Sequence, residues 1–410
     1  MSRRAPTGPS LLEPMLRRSR GARLCATSQG ARKDVTEAAL EAVIARVRAS
    51  NDPTLTADEV SALEAAATDS ETARRLLGMH YYRAGRFADA ERHARRSFEA
   101  EPGAAAAYNL WSVLQRLGRL EESLAHLDAA AAALDPADLA TMRCATFDRL
   151  GRRPEALAEG ARALALRDAA TPRVDPPPPT LRAFDPARPE RNVIAFSLFG
   201  AGRRYCEGAI RNAVVAPHLY PGWTARFYVD DSVPKSVRDR LRQEGAQLRT
   251  APNLPAARFG TLWRFLVEDD PDVDLYLVRD ADSVLNIRER AAVEDWLASG
   301  APFHVMRDHP VHCDLMLAGM WGAHRGNLGP MAERMIAYVS SARKLNDRTA
   351  DQAFLRAEVW PGVRRDALAH DAFYEIGRSR PFRSKFTLPP PMHVGQDDAA
   401  RRTRRAPSAR

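Results

Sequence analysis

The chain has 410 residues, of which 45% are hydrophobic and 28% are charged. This length allows two or three domains with separate cores, and the composition excludes wholesale disorder and an integral membrane protein. The net charge of +9 does not indicate a nucleic-acid-binding domain, because residues 1–34 carry +6, residues 399–410 carry +5 and the remainder carries −2. Charge held on tails without periodicity is typical of solvated, disordered segments, with weak contact to an acidic surface as the alternative.

The cysteines and the amino terminus indicate the compartment. The four cysteines show no Cys-x-x-Cys and no paired spacing, which favours a reducing setting; they are Cys25, Cys144, Cys206 and Cys313. The Arg-rich amino terminus lacks an apolar core segment, and no stretch of the chain is apolar enough to cross a membrane. We expect a cytoplasmic protein with no transmembrane segment, although residues 1–34 also fit a transit peptide or an over-extended start.

Residues 35–168 are predicted to be helical. Residues 35–47 repeat apolar positions at three and four, and Thr56 with Glu59 forms a capping box ahead of an Ala- and Leu-rich helix. A Gly-Arg pair then recurs every 33 residues, with a small residue five positions after each glycine. The glycines are Gly85, Gly118 and Gly151, and the small residues are Ala90, Ser123 and Ala156.

Prolines at 102 and 136 close the first two of these units. The pattern resembles tetratricopeptide repeats, which are helix-turn-helix units of 34 residues closed by proline. A plain Ala-rich helical bundle is the alternative. Both interpretations predict an all-α layer, and the resemblance implies a surface that grips a protein or polysaccharide acceptor or mediates self-association.

Residues 169–190 are rich in proline and predict a stiff, extended linker. After the linker, short apolar runs alternate with helical segments, so residues 191–396 are predicted to form a mainly parallel sheet with helices on its faces. The predicted strands are 193–199, 224–229, 246–249 and 275–278, and the predicted helices are 205–216, 234–243 and 259–267. Residues 397–410 are predicted to be a second disordered basic tail.

Asp280 and Asp282 follow the buried run 275–278 and therefore lie at the carboxyl end of a predicted central strand. In such sheets ligands bind at that end. Two adjacent carboxylates repel each other, and a hard divalent ion that also bridges to phosphate oxygens would relieve the repulsion. Two other Asp-x-Asp matches, at 270–272 and 272–274, lie in a charged turn, so position and not the motif selects this pair. A capping Asp pair at a strand-to-helix turn is the alternative.

The motif Asp280-Ala281-Asp282, with its flanking residues and the helix containing Arg264, resembles glycosyltransferases of the A type over residues 191–396. The resemblance implies a Rossmann-like domain that uses a nucleotide sugar together with Mn²⁺ or Mg²⁺, with Asp282 as a metal ligand and Asp280 near the ribose or a metal-bound water. It also implies that His393 completes the metal site; a structural role is the alternative for that lone histidine.

The same resemblance implies a nucleotide site and a sugar or acceptor pocket. The residues expected to bind the donor are Phe199, Gly200, Arg203, Arg204, Asp230, Asp231, Arg264, Asp280 and Asp282. For Asp231, helix capping is equally compatible with the pattern. The residues expected in the pocket are Arg307, His309, His312, Asp314 and Trp321, with a polar hairpin loop as the alternative. Asp351 is the candidate general base or ligand of the donor sugar; the alternative is an Asp that the helix dipole stabilises in the first turn of a helix. Asp308 is the second candidate catalytic residue.

The sequence thus predicts a two-part enzyme that transfers a sugar from a nucleotide donor to an unknown acceptor. One rival is a non-catalytic interaction scaffold with a degenerate transferase domain. Nucleotidyl transfer is a second rival, but its usual lysine near the first strand has no counterpart, since residues 191–230 contain no Lys.

Overall fold

The computed structural model describes residues 38, 40–47, 55–251, 259–341, 350–389 and 392–396. The two predicted basic tails lie outside the described residues. The chain divides into two compact units between Glu159 and Gly160, within a single helix. Within the described residues, no helix has the length and apolar character required to cross a membrane.

The first unit is helical, as predicted. Residues 40–47 are helical, and they are followed by helices α1 (Ala57–Ala66), α2 (Glu71–Arg83), α3 (Phe87–Ala100), α4 (Ala104–Leu117), α5 (Leu120–Ala129), α6 (Pro136–Arg149) and α7 (Arg153–Ala170). The predicted capping box opens α1, where Thr56 accepts from the amide of Glu59 and the Glu59 carboxylate accepts from the amide of Thr56. Asp135 caps α6, with Pro136 in the first turn.

The repeat pattern is confirmed at its turns. Gly85, Gly118 and Gly151 each adopt a φ of 74°, in the left-handed region that favours glycine, between the two helices of a unit. The small residues five positions later are fully buried, at 0% exposure for Ala90, Ser123 and Ala156. The prediction that closely packed antiparallel helices need a small side chain there is therefore correct.

The proline-rich segment carries neither helix nor strand between residues 172 and 188. It belongs to the second unit and is tied to the end of β6, because the amide of Thr180 donates to Asn327 at 2.7 Å and the amide of Arg182 donates to His324 Nδ1 at 2.8 Å.

The second unit is built on one eight-stranded sheet. Its strands are β1 (Asn192–Leu198), β2 (Thr224–Val229), β3 (Gln247–Thr250), β4 (Leu275–Arg279), β5 (Phe303–Arg307), β6 (Met320–His324), β7 (Ala367–Asp371) and β8 (Arg378–Arg380). The order in the sheet is β3-β2-β1-β4-β6-β5-β7-β8. All neighbours are parallel except β6, which runs antiparallel to both β4 and β5. The predicted mainly parallel sheet is therefore present, with one reversed strand.

Helices connect and flank these strands. They are α8 (Arg203–Leu219), α9 (Lys235–Gln243), a 3₁₀ helix (Gly260–Asp269), α10 (Ile287–Ser299), α11 (Met331–Ser341), α12 (Ala350–Phe354), a π-helical segment (Leu355–Val359) and α13 (Trp360–Val363). Strands β1 and β4 are buried along their whole length, which explains why their sequences are mostly apolar.

Candidate functional site

The sheet has a topological switch point between β1 and β4. From β1 the chain proceeds outward to β2 and β3, and β4 then returns to the opposite side of β1. In open α/β sheets the crevice for a ligand lies at the carboxyl ends of the strands at such a point. Phe199 follows β1 here and Asp280 follows β4, so the fold brings together the two predicted halves of the donor site.

Arg264 lies at the centre of this edge. Its side chain is only 3% exposed, and its guanidinium donates from Nη1 to Asp280 and from Nη2 to Asp351 Oδ2 at 2.7 Å. Its backbone amide donates to Ser197 Oγ at 3.0 Å, which ties the 3₁₀ helix to the end of β1. Burial by itself would lower the pKa of Arg264, but Asp280 and Asp351 raise it above its ordinary value.

Asp282 also has a cationic partner. Arg204, in the first turn of α8, lies 2.5 Å from Asp282 Oδ2, and Asp282 is 9% exposed. The two carboxylates of the motif are therefore held by two guanidinium groups. The expectation that a cation must offset their repulsion is met here by guanidinium groups from the 3₁₀ helix and from α8, so the repulsion alone does not require a divalent ion.

Asp351 has the properties of a proton acceptor at neutral pH. It lies at the start of α12, is 7% exposed and accepts from Arg264. Burial raises the pKa of Asp351 to about 6, with Arg264 opposing that shift and Asp280 adding to it. A general base acts best when its pKa lies near the working pH.

The loops after β1 and β2 form the other wall of this edge. Phe199 is 44% exposed and meets Trp263 edge-on, with ring centroids 5.7 Å apart. The amide of Gly200 donates to Ser232 Oγ at 2.6 Å, and Ser232 in turn bonds Asp230, so the two loops are joined.

Two other residues that were predicted to bind the sugar donor, Asp231 and Arg203, lie on the protein surface near these loops. The fully exposed carboxylate of Asp231 pairs with Arg238 at 2.8 Å. The guanidinium of Arg203, which is 84% exposed, donates to Glu207 on the same helix.

Both carboxylate oxygens of Asp308 are occupied by hydrogen bonds within the protein. Arg288 donates to both of its carboxylate oxygens at 2.8 to 3.0 Å, and the amide of Val394 donates to Oδ2 at 2.9 Å. The carboxylate thus fastens residues 392–396 to the loop that follows β5. This geometry favours Asp351 over Asp308 as the proton acceptor.

Three histidines from the predicted pocket and metal site gather beside Asp308. The ring of His393 lies 4.5 Å from that of His309 and 4.9 Å from that of His312. His312 accepts the amide of Asp308 through Nδ1 at 3.0 Å, and His309 accepts the amide of Val311 through Nδ1 at 3.3 Å. A neutral ring that accepts at Nδ1 carries its hydrogen on Nε2 and has no lone pair there for a metal.

His393 differs, because its Nδ1 donates to the carbonyl of Val394 at 2.9 Å and leaves a lone pair on Nε2. Among the residues that the structure describes, no three His, Cys, Asp or Glu side chains are grouped so that they could hold a metal ion. The predicted ligand set of Asp280, Asp282 and His393 therefore does not fit a three-ligand metal site. Mg²⁺ is commonly held by one or two carboxylates together with substrate phosphates, so an ion at the two aspartates stays a prediction that depends on the donor.

The remaining predicted pocket residues lie mainly in the core. Arg307 is 1% exposed and forms an ion pair with Asp371 of the adjacent strand β7. Trp321 is fully buried on β6, where it packs against Tyr276, so a contact with a sugar would require the core to open. Asp314 pairs with Arg356 at 2.5 Å nearer the surface.

Two amide side chains that sequence reasoning missed hold this edge together. Gln352 accepts the amide of Ala318 at 3.0 Å and donates to Met316, next to the predicted base Asp351. Asn212 bonds the backbone of the turn that contains Asp280 and Asp282. An Asn inside an amphipathic helix is the only local signal for the latter, because its partners lie about 70 residues away.

No known family model matches the chain, and no curated protein matches it. Among solved structures it is similar to an O-GlcNAc transferase mutant from Thermobaculum terrenum, with 20% identity and a TM-score of 0.42 over 62% of this chain and 47% of that one. The chain thus spans about half the length of that transferase.

The chain is also similar to two MamA structures. For MamA AMB-1 the identity is 23% and the TM-score is 0.28, over 32% of this chain and 78% of that one. For MamA MSR-1 the identity is 22% and the TM-score is 0.29, over 33% of this chain and 79% of that one. Scores this low decide neither the fold nor the activity.

Proposed function

We propose that the α/β unit is a glycosyltransferase of the A type, which transfers a sugar from a nucleotide-sugar donor to an acceptor hydroxyl. The observation that carries this proposal is the convergence of Asp280, Asp282 and Asp351 with Arg264 and Arg204 at the switch point of the sheet. These three carboxylates and two guanidinium groups come from four separate segments and meet at the edge where such sheets bind ligands. A cluster of charged groups at that place favours a binding or catalytic role over a purely structural one.

The donor diphosphate is proposed to bind at the amino terminus of α8. That helix begins after Gly202 without a side-chain cap, and its first turn contains Arg203 and Arg204 but no acidic residue. The amide groups at a helix amino terminus and the positive end of the helix dipole favour a phosphate there. Arg204 is 46% exposed and is able to exchange Asp282 for a phosphate oxygen. The exposed ring of Phe199 could stack against the nucleotide base of the donor.

The reaction then needs a base for the acceptor. The acceptor hydroxyl oxygen forms the new bond to the anomeric carbon, its proton passes to the Asp351 carboxylate, and the diphosphate leaves with the electrons of the broken bond. Arg264 holds Asp351 in place for that transfer. Asp351 performs this role only above a pH of about 6, where its carboxylate is ionised.

Ligand-dependent thermal stability tests this proposal. The probes are the diphosphates of uridine, guanosine, adenosine, cytidine and thymidine, each with and without Mn²⁺. Saturation at 100 times Kd stabilises a protein by about 2.7 kcal/mol, which for a unit of this size raises Tm by roughly 5 to 10 °C. One diphosphate should produce such a shift, and the Mn²⁺ arm decides the metal dependence.

The neighbouring motif provides a matched control. Asp282→Ala should abolish the shift, whereas Asp272→Ala, at an exposed aspartate in the turn that precedes β4, should retain it. If no diphosphate shifts Tm under any condition, the transferase proposal fails and the interaction scaffold becomes the better account. In that account the helical repeats alone carry the function; in the transferase, we propose that they hold a protein or polysaccharide acceptor.

A further inference from the structure

Asn212 makes every hydrogen bond that the structure records for its side chain to one distant turn. It lies in the middle of α8 and is 0% exposed. Its Nδ2 donates to the carbonyls of Ala281 at 3.2 Å and Ser283 at 2.9 Å, and its Oδ1 accepts the amide of Leu285 at 3.0 Å. One amide therefore fixes three backbone groups on both sides of Asp282.

The helix backbone also touches this turn one helical turn earlier. A Cβ atom on Gly208 would lie 2.4 Å from the carbonyl oxygen of Ala281 and 2.8 Å from Cα of Asp282. Any side chain at that position would displace the turn, so the absence of one lets α8 pack directly against it.

The same helix delivers the partner of Asp282. Arg204 reaches that carboxylate from the first turn of α8, while Ala209, Ala213 and Ala216 anchor the helix in the core of the sheet. Helix α8 thus contacts the turn through both Arg204 and Asn212, and the hydrogen bonds of Asn212 fix the backbone on which Asp282 stands.

We propose that Asn212 is a positioning residue of the donor site, which holds the turn of Asp280 to Ser283 so that Asp282 and Arg204 face the diphosphate together. This inference rests on the proposed function. Asn212 is buried under the turn and acts through it, since its hydrogen bonds go to backbone groups and not to the edge where the donor would lie.

The test compares Asn212→Ala with Asn192→Ala. Asn192 is 1% exposed and donates to the carbonyls of Asp185 and Gly222, both at 2.9 Å, but it begins β1 at the opposite edge of the sheet. Asn192 also donates to the carbonyl of Arg188 at 3.5 Å, so each variant loses three side-chain hydrogen bonds, and a general loss of stability affects the two alike. Hydrogen-deuterium exchange of residues 280–286 is measured without ligand, and Kd is measured by calorimetry for the diphosphate that stabilises the wild-type chain.

We expect faster exchange of residues 280–286 and a Kd weakened by about tenfold in Asn212→Ala, equivalent to one net hydrogen bond, and neither change in Asn192→Ala. Gly208→Ala should weaken binding in the same way without touching the amide, whereas Gly362→Ala, which has open space around it, should not.

The inference is overturned if the exchange rate of residues 280–286 and the Kd for the diphosphate are the same in Asn212→Ala as in Asn192→Ala. That result would leave the proposed function intact. If the wild-type chain binds no diphosphate, the proposed function fails, and the donor-site role of Asn212 falls with it even where the exchange result shows that it holds the turn.

Discussion

Replacement of Arg264 by methionine tests the ion-pair bridge at the centre of the site. Methionine retains an unbranched apolar stem but removes the guanidinium that serves Asp280 and Asp351. Loss of one partner from a buried ion pair typically costs about 3 to 5 kcal/mol, because a charge stays buried without compensation. The side chain of Asp280 is 41% exposed, so water can replace the lost guanidinium there. The cost therefore falls mainly on Asp351, whose side chain is only 9% exposed.

The pH dependence of this cost follows from the pKa of Asp351. Its folded value of about 6 already exceeds the ordinary value of 3.8, and the loss of Arg264 raises it further. The folded state of the variant therefore holds a proton that the unfolded state lacks over a wider pH range than the wild type does. The destabilisation by Arg264→Met should be larger at pH 8 than at pH 5, by about 1.36 kcal/mol for each unit by which the pKa rises.

Urea unfolding at the two pH values measures this difference. Tryptophan fluorescence reports chiefly on the α/β unit, because five of the six tryptophans lie after residue 160. The double variant Arg264→Met with Asp351→Asn also removes the carboxylate that lost its partner and should recover stability at pH 8 relative to the single variant. If the single and double variants are equally destabilised at pH 8, or if the single variant shows the same deficit at both pH values, the bridge does not account for the cost.

Three further outcomes follow from the site and the core. Arg204→Met should weaken diphosphate binding about tenfold or more by calorimetry through loss of a charge-assisted hydrogen bond, while Arg240→Met, a surface ion-pair residue on α9, should not. The acceptor-dependent rate should fall as the pH drops below about 6, where Asp351 gains a proton, and a rate profile without that limb contradicts its role as base. Burial lowers the pKa of His324 and of His370 from 6.5 to about 4, so the unfolded chain binds more protons between these values. Stability in urea should therefore decline from pH 6.5 to 4, by on the order of 3 kcal/mol per histidine and partly offset by Asp351, and His370→Gln should reduce that decline.

Local pattern was sufficient to place the carboxylates. The buried run 275–278 is the strand Leu275–Arg279, and Asp280 and Asp282 follow it at the carboxyl edge as predicted. The repeat glycines likewise mark turns, because a 33-residue period and a conformation available to glycine are both visible in the sequence. These features depend on residues within one element or at one fixed spacing.

Pairing between elements was not predictable in the same way. Nothing in a single sequence shows that Arg264 meets Asp351, 87 positions later, or that Asn212 bonds a turn about 70 positions away. The repulsion between Asp280 and Asp282 was judged for the same reason without the guanidinium groups that the fold brings to them, so the metal ion stays a prediction. Reversal of β6 corresponds to the polar hairpin loop that was the alternative interpretation of Arg307 to Asp314, but local pattern did not choose between that loop and a ligand pocket.

The reversed strand bears on how this protein could be redesigned. Since β5 ends and β6 begins at the same edge, residues 308–319 leave the sheet and re-enter it without crossing to the far side. His309, His312 and Asp314 all belong to this excursion. Most of this segment is buried, with Cys313, Leu315 and Met316 in the core and Asp308 anchoring residues 392–396. A library beside the carboxylates should therefore be confined to the half-buried positions 309, 311, 312 and 317, so that the sheet beneath keeps its register.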